Sequence, residues 1–218
     1  MTLAIFDLDN TLIAGDSDHL WGEFLIDQGV VDAVTFKHTN DQFFEDYKNG
    51  CLDISRYQEF ALTPLTQFSL EQLAVMHQRF MDDVINPIML PKANALIDHH
   101  RQQGHTLLII TATNRFVTGP IAEALGIENI LATEGEIINA RYTGKMKGTA
   151  CFQEGKITRL KSWLEDTNHT MQGAYFYSDS HNDLPLLKLV DKPVVVDADD
   201  SLIDYAQQRQ WKSISLRG

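Results

Sequence analysis

Four short runs in this 218-residue chain, Leu3–Phe6, Leu107–Ile110, Ala174–Tyr177 and Val194–Val196, are apolar at successive positions rather than alternate ones. A strand that is apolar on both faces has no side to show water, so it belongs in a parallel sheet with helices on both sides. Helix-length segments fill the spaces. Lys92–Gln103 ends at Gly104 and Phe116–Leu125 at Gly126, each glycine suited to closing a helix. Ile157–Glu165 and Ser201–Gln208 are amphipathic enough to cover a sheet. Strands alternating with helices predict a doubly wound, Rossmann-like α/β fold with a parallel sheet. Leu131–Tyr142 alternates enough for a short hairpin.

One stretch breaks this rhythm. Between Asp16 and Val84 no strand pattern is visible, and Phe36, Phe43, Phe44 and Tyr47 recur at helical spacing. So long an insert exceeds an ordinary crossover and predicts a small helical cap inserted after the first strand. The expected division is residues 1–15 and 86–218 for the core and 16–85 for the cap, with Pro87 and Pro91 marking the return. The aromatic residues Trp21, Phe24, Phe43 and Phe44 are expected to form the cap's own core.

Composition narrows the function. A net charge of −12 disfavours a nucleic-acid partner, since binding a polyanion needs a basic face. No run approaches the roughly 18 apolar residues of a membrane helix, and no signal segment is visible. Cys51 and Cys151 lack the CxxC spacing of a zinc or redox site. The expectation is a cytoplasmic protein with a small-molecule partner.

The chemistry concentrates where strands end. Asp7-Leu8-Asp9-Asn10-Thr11 follows the first strand directly, and open α/β sheets bind ligands at the carboxyl ends of their strands. Two carboxylates one residue apart can divide the labour of nucleophile and acid/base if a cation offsets their repulsion. Thr111-Ala112-Thr113 closes the second run and Ser178-Asp179-Ser180-His181-Asn182-Asp183 the third, while Lys156 stands at the start of a helix. Singly, each has a plain reading as a turn, a capping hydroxyl or a surface lysine. Together they form a set able to bind phosphate and a hard cation such as Mg²⁺, with Thr111 and Lys156 on phosphoryl oxygens.

The order Asp-x-Asp-x-Thr, strand-end Thr, Lys, then Asp-x-x-x-Asp resembles the four-motif signature of the haloacid dehalogenase superfamily. The helical insert resembles the cap of its phosphoserine-phosphatase-like branch. The run Gly144–Leu164 is similar to bacterial histidinol-phosphatase-like members. The resemblance implies a Mg²⁺-dependent phosphatase. Asp7 would attack phosphorus and become an aspartyl phosphate; Asp9 would protonate the leaving oxygen and then activate water. The metal would take Asp7, the backbone carbonyl of Asp9 and Asp179, with Asp183 supporting from behind. Thr111, the Ala112 N–H and Lys156 would stabilise the transferred group.

Departures from that branch bear on substrate. Asp16 stands where phosphoserine phosphatases carry an amine-binding Glu, and Ala61 where they carry a carboxylate-binding Arg; Arg56 is the nearest replacement in sequence. This favours a phosphorylated amino alcohol, histidinol phosphate among them, over phosphoserine. Trp21 is a candidate for packing on the organic group and Arg115 for touching substrate. His99 and His100 read as solvated or capping residues, and His181 as a bystander within its motif. A phosphotransferase shares the first half-reaction. A receiver-type signalling module fits less well, because its phosphate acceptor lies on a later strand.

Overall fold

The computed structural model describes residues 2–218. Its strands are β1 (Leu3–Phe6), β2 (Thr106–Asn114), β3 (Asn129–Ile138), β4 (Arg141–Lys147), β5 (Tyr175–Ser178), β6 (Lys192–Val196) and β7 (Lys212–Ile214). The helices are α1 (Ser17–Asp27), α2 (Ala33–Lys48), α3 (Ile54–Leu62), α4 (Leu70–Phe80), α5 (Pro91–Gln102), α6 (Arg115–Ala124), α7 (Glu154–Thr167), α8 (Leu184–Leu187) and α9 (Asp200–Arg209). One seven-stranded sheet runs in the order β4-β3-β2-β1-β5-β6-β7, parallel throughout except for the β3–β4 hairpin. The α/β fold is as expected from the sequence, and no helix among the described residues is long and apolar enough to cross a membrane.

The doubly apolar strands follow from this layering. Along β1, Ala4 and Phe6 point into one buried cluster and Leu3 and Ile5 into the other. Along β2, Leu107 and Ile109 join the first cluster, Leu108 and Ile110 the second. Ala93, Ile97, Val117 and Ile121 from α5 and α6 close one face, while Leu160, Leu187 and Leu202 from α7, α8 and α9 close the other. The chain leaves β1 toward β2 and β3, then returns to β1's other edge with β5. The carboxyl end of β1 is therefore the topological switch point, where such sheets open a crevice.

Three details depart from expectation. The hairpin begins inside the main sheet, because β3 also pairs in parallel with β2 through Leu108–Asn129 and its neighbours. Strand β7, Lys-Ser-Ile, was not read from the sequence; it is short and its first two residues are exposed. Trp21, Phe24 and Leu25 of α1, with Leu73 and Phe80 of α4, do not form a separate cluster but share one with Phe6, Ile109 and Val117. Each inserted helix starts on a side-chain cap: Asp16, Asp32, Asp53 and Ser69 accept from backbone N–H groups of α1 to α4, which satisfies donors the helix cannot.

Candidate active site

The four sequence segments meet at the carboxyl ends of β1, β2 and β5. Asp7 follows β1 directly, and its N–H donates to the Tyr177 carbonyl at 2.9 Å. Lys156 Nζ lies 2.8 Å from Asp7 Oδ1 and 2.7 Å from Asp183 Oδ1, and all three residues are buried. Ser178 Oγ donates to Asp183 Oδ2 at 2.7 Å. Lys156 reaches this edge because the chain turns tightly before α7. A Cβ on Gly155 would sit 2.0 Å from the Ala150 carbonyl oxygen, so only glycine allows the approach.

Asp9 is tied down on two sides. Its Oδ1 accepts from the Ser17 N–H at 2.7 Å, and its Oδ2 from Thr113 Oγ1 at 2.9 Å and Thr111 Oγ1 at 3.3 Å. Asp179 is coupled to the first motif through Thr11, whose hydroxyl donates to Asp179 Oδ1 at 3.0 Å and accepts from its N–H at 3.1 Å. Thr11, Thr113 and Ser17 are site residues that the sequence reading passed over, although two of them lie inside its motifs.

Charge is strongly unbalanced. Burial pushes the Asp7 carboxyl up to about 7; Lys156 pulls it down, and Asp183 and Asp9 push it up. Burial, then Asp7 and Asp183, hold Asp179 well above the usual carboxylate range. Desolvation alone would lower the Lys156 ammonium, but Asp183 and Asp7 outweigh it and hold it protonated. One ammonium thus faces several carboxylates. The donors at this edge are all oxygens, the set a small hard cation takes.

Beside this edge opens a pocket lined by Asp7, Asp9, Thr111, Ala112 and Thr113 at one end. Asp16, Asp18, His19 and Asn40, with Phe43, Phe44, Tyr47 and Tyr57, line the rest. No Lys or Arg is among the lining residues. Burial, and then Asp9, raise Asp16 to about 7, and burial lowers His19 below its ordinary value. His19 stacks on Phe44 with ring centroids 4.6 Å apart. Near the rim, His19, Glu23 and Asp41 have metal-ligand spacing. The ammonium of Lys37 already occupies that group, 2.7 Å from Glu23 and 3.3 Å from Asp41.

Several expected residues are placed elsewhere. Trp21 is buried among Phe24, His77, Phe80 and Phe116, so it packs the core rather than a substrate. Arg115 donates to the Ile130 carbonyl at 3.0 Å and faces Glu134, outside the pocket. Phe43 and Phe44 line the pocket, and Phe43 also packs within the insert against Tyr57 and Phe60. Arg56 is exposed on α3 and Ala61 is buried; neither lines the pocket. His100 is not solvated: it is buried against Tyr177, 2.8 Å from its hydroxyl, and burial with His105 and His99 lowers it to about 4. His181 bonds Asp199 through Nδ1 at 3.0 Å and does not line the pocket.

Comparison with known proteins places this geometry. The model of the haloacid dehalogenase-like hydrolases matches residues 4–188. The chain belongs to that family. A histidinol-phosphatase of Neisseria meningitidis is 45% identical over 219 residues, covering 99% of each chain. A protein of unknown function from Bordetella pertussis has a crystal structure that superposes with a TM-score of 0.93 at 40% identity, covering 99% of this chain and all of that one. A substrate-bound phosphoserine phosphatase gives a TM-score of 0.69 at 16% identity over 98% of this chain and 92% of that one, a likeness of fold. The protein is a phosphatase of the haloacid dehalogenase-like hydrolases, similar to the histidinol-phosphatase-like members of their phosphoserine-phosphatase-like branch.

Proposed function

We propose that this phosphatase hydrolyses the phosphate monoester of a small amino alcohol, with histidinol phosphate the foremost substrate. One observation carries the choice: beyond its phosphate end the pocket is lined by two aspartates, Asp16 and Asp18, and by no Lys or Arg. A substrate carboxylate would meet only like charge there, whereas an ammonium would be held. The 45% identical histidinol-phosphatase supports the same substrate.

Mg²⁺ fits the oxygen donors at the sheet edge, where carboxylate charge exceeds the single ammonium. Asp7, Asp179 and the Asp9 carbonyl would hold it, with Thr11 fixing Asp179. When bound, the ion offsets negative charge on the phosphate and its carboxylate neighbours. Lys156 favours the carboxylate form of Asp7 against the burial that raises it, and Asp183 holds Lys156 from behind. Asp7 attacks phosphorus, forming a carboxyl O–P bond as the ester P–O bond breaks. Asp9 gives its proton to the departing alkoxide. It then accepts a proton from the water that hydrolyses the aspartyl phosphate, and Asp7 is restored. Thr111, the Ala112 N–H and Lys156 stabilise the oxygens of the group in transfer.

The helices of residues 16–85 act as a cap, with α2 and α3 supplying the aromatic wall of the pocket. The two free thiols, Cys51 and Cys151, suit a cytoplasmic setting. A panel of phosphorylated metabolites assayed with Mg²⁺ for released phosphate tests the reading. Histidinol phosphate is expected to exceed phosphoserine in kcat/KM by at least about tenfold. Phosphoserine as the best substrate would overturn it.

A further inference from the structure

We infer that Asp18 is a second substrate-anchoring carboxylate, so that the preferred alcohol carries two separate nitrogen donors, one met by Asp16 and one by Asp18. The inference rests on the phosphatase reading above and deepens it. Asp18 lines the pocket and is only 5% exposed. Its Oδ1 accepts from Asn114 Nδ2 at 3.1 Å. That donor is fixed, because the carbonyl oxygen of the same amide caps α6 by accepting from the Val117 N–H at 3.2 Å. Asp18 Oδ2 is buried without a partner of hydrogen-bond geometry. The Tyr57 hydroxyl approaches the carboxyl, and burial, then Asp16 and Asp9, hold that carboxyl well above the usual carboxylate range, a rise that a cation beside it would reverse.

A buried carboxylate oxygen left unbonded is costly, and native chains seldom keep one without use. The plain alternative is an acidic residue in the first turn of α1, favoured by the helix dipole. That role asks for neither an open oxygen nor a place in the pocket lining. Asp16 differs in kind. It already caps α1, its Oδ1 accepting from the Asp18 and His19 N–H groups at 3.0 and 2.9 Å, and only its second oxygen remains for a ligand. The two carboxylates therefore offer two acceptor points, one residue apart along the start of α1. Phe43, Phe44, Tyr47 and Tyr57 bound the same pocket with flat apolar faces. The matching ligand is an amino alcohol monophosphate with an ammonium on its carbon chain and a second N–H donor on a planar ring, an imidazole being of that class.

Two sets of measurements separate this inference from the reading beneath it. Wild-type hydrolysis of p-nitrophenyl phosphate with Mg²⁺ tests phosphatase action alone, and its absence would sink the underlying reading whatever Asp18 does. The inference itself is read from a ratio, kcat/KM for histidinol phosphate over that for phosphoethanolamine, which has one nitrogen. The wild-type ratio is expected at about tenfold or more, and Asp18→Asn should bring it down toward one, while Asp16→Asn lowers activity on both. An unchanged ratio in Asp18→Asn overturns the inference. If that variant does not fold, Asp18→Glu, which keeps the carboxyl but displaces it by one methylene, decides: the same ratio should fall, and an unchanged ratio overturns the proposal.

Discussion

Replacing Lys156 by Met keeps an apolar stem of similar length and deletes the ammonium. In the wild type that ammonium lies 2.8 Å from Asp7 and 2.7 Å from Asp183, in a site closed to water. Removing one partner of such a buried group costs about 3–5 kcal/mol, because the remaining carboxylates lose their counter-charge. The pH dependence separates this cause from lost packing. Asp7 rises from 3.8 to about 7 on folding even with Lys156 beside it. A carboxyl raised in this way adds stability at low pH, and that stability is lost as pH rises through the folded value. The rise corresponds to about 4 kcal/mol. Without Lys156 the folded value climbs further, so the variant's deficit grows through pH 7 and beyond. Urea unfolding of metal-chelated protein should show a deficit of about 3–5 kcal/mol at pH 8. At pH 5, where Asp7 takes up a proton instead, the deficit should be distinctly smaller. Equal deficits at both pH values would refute the charge argument and leave only packing.

Chelation with EDTA is expected to abolish phosphate release and Mg²⁺ to restore it, whereas Ca²⁺, which prefers more and longer oxygen contacts, should inhibit; full turnover after exhaustive chelation would exclude the metal. Asp7→Asn should abolish turnover and leave no phosphoenzyme in acid-quenched samples. Asp9→Asn should slow both formation and breakdown of the intermediate by about 10²–10⁴-fold, read by rapid quench. Gly155→Ala places a Cβ 2.0 Å from a backbone oxygen, so the turn carrying Lys156 must shift. Thermal melts should show a loss of about 1–3 kcal/mol with a fall in kcat, whereas Gly119→Ala, which meets nothing within 4 Å, should stay near wild type.

The sheet was legible because its strands are continuous apolar runs, and Leu3–Phe6 coincides with β1 residue for residue. Strand β7 was not, since Lys212 and Ser213 face solvent and its pairing with β6 comes from the sheet edge, not from its own residues. The motif residues were legible through position alone: a carboxylate directly after a buried parallel strand at the switch point has few places to go. Trp21 was misplaced because aromatic spacing on a helix reports that a face is buried without saying against what. Here that face meets Phe80 of the insert and also Phe116 of the core, across a boundary expected to divide two cores. His100 was misread for a related reason. Its neighbours Asp98, His99 and Arg101 are polar, and its buried partner, Tyr177, is 77 residues away.

That shared cluster also decides which half of the pocket is held firmly. Helix α1 buries Trp21, Phe24 and Leu25 in the cluster that contains Phe6, and its Ser17 N–H grips Asp9 at 2.7 Å. Asp16 and Asp18 are thereby mounted on the same packed body as Asp7 and Asp9. Helix α2 has one buried residue, Asn40, which seats against Gly22 so closely that a Cβ there would lie 2.6 Å from its amide nitrogen. Phe43, Phe44 and Tyr57 hang from elements with far less buried apolar surface. Local opening follows the segments with least burial, so α2 with the start of α3 is the side of the pocket expected to yield to an entering substrate. On the proposed function, the carboxylates that would select a cation are fixed relative to Asp7, and the aromatic wall is the part expected to move. Selection by charge and access by motion would then be carried on different helices. A substitution in α2 should therefore change entry and release while leaving the ranking of cationic over anionic substrates in place.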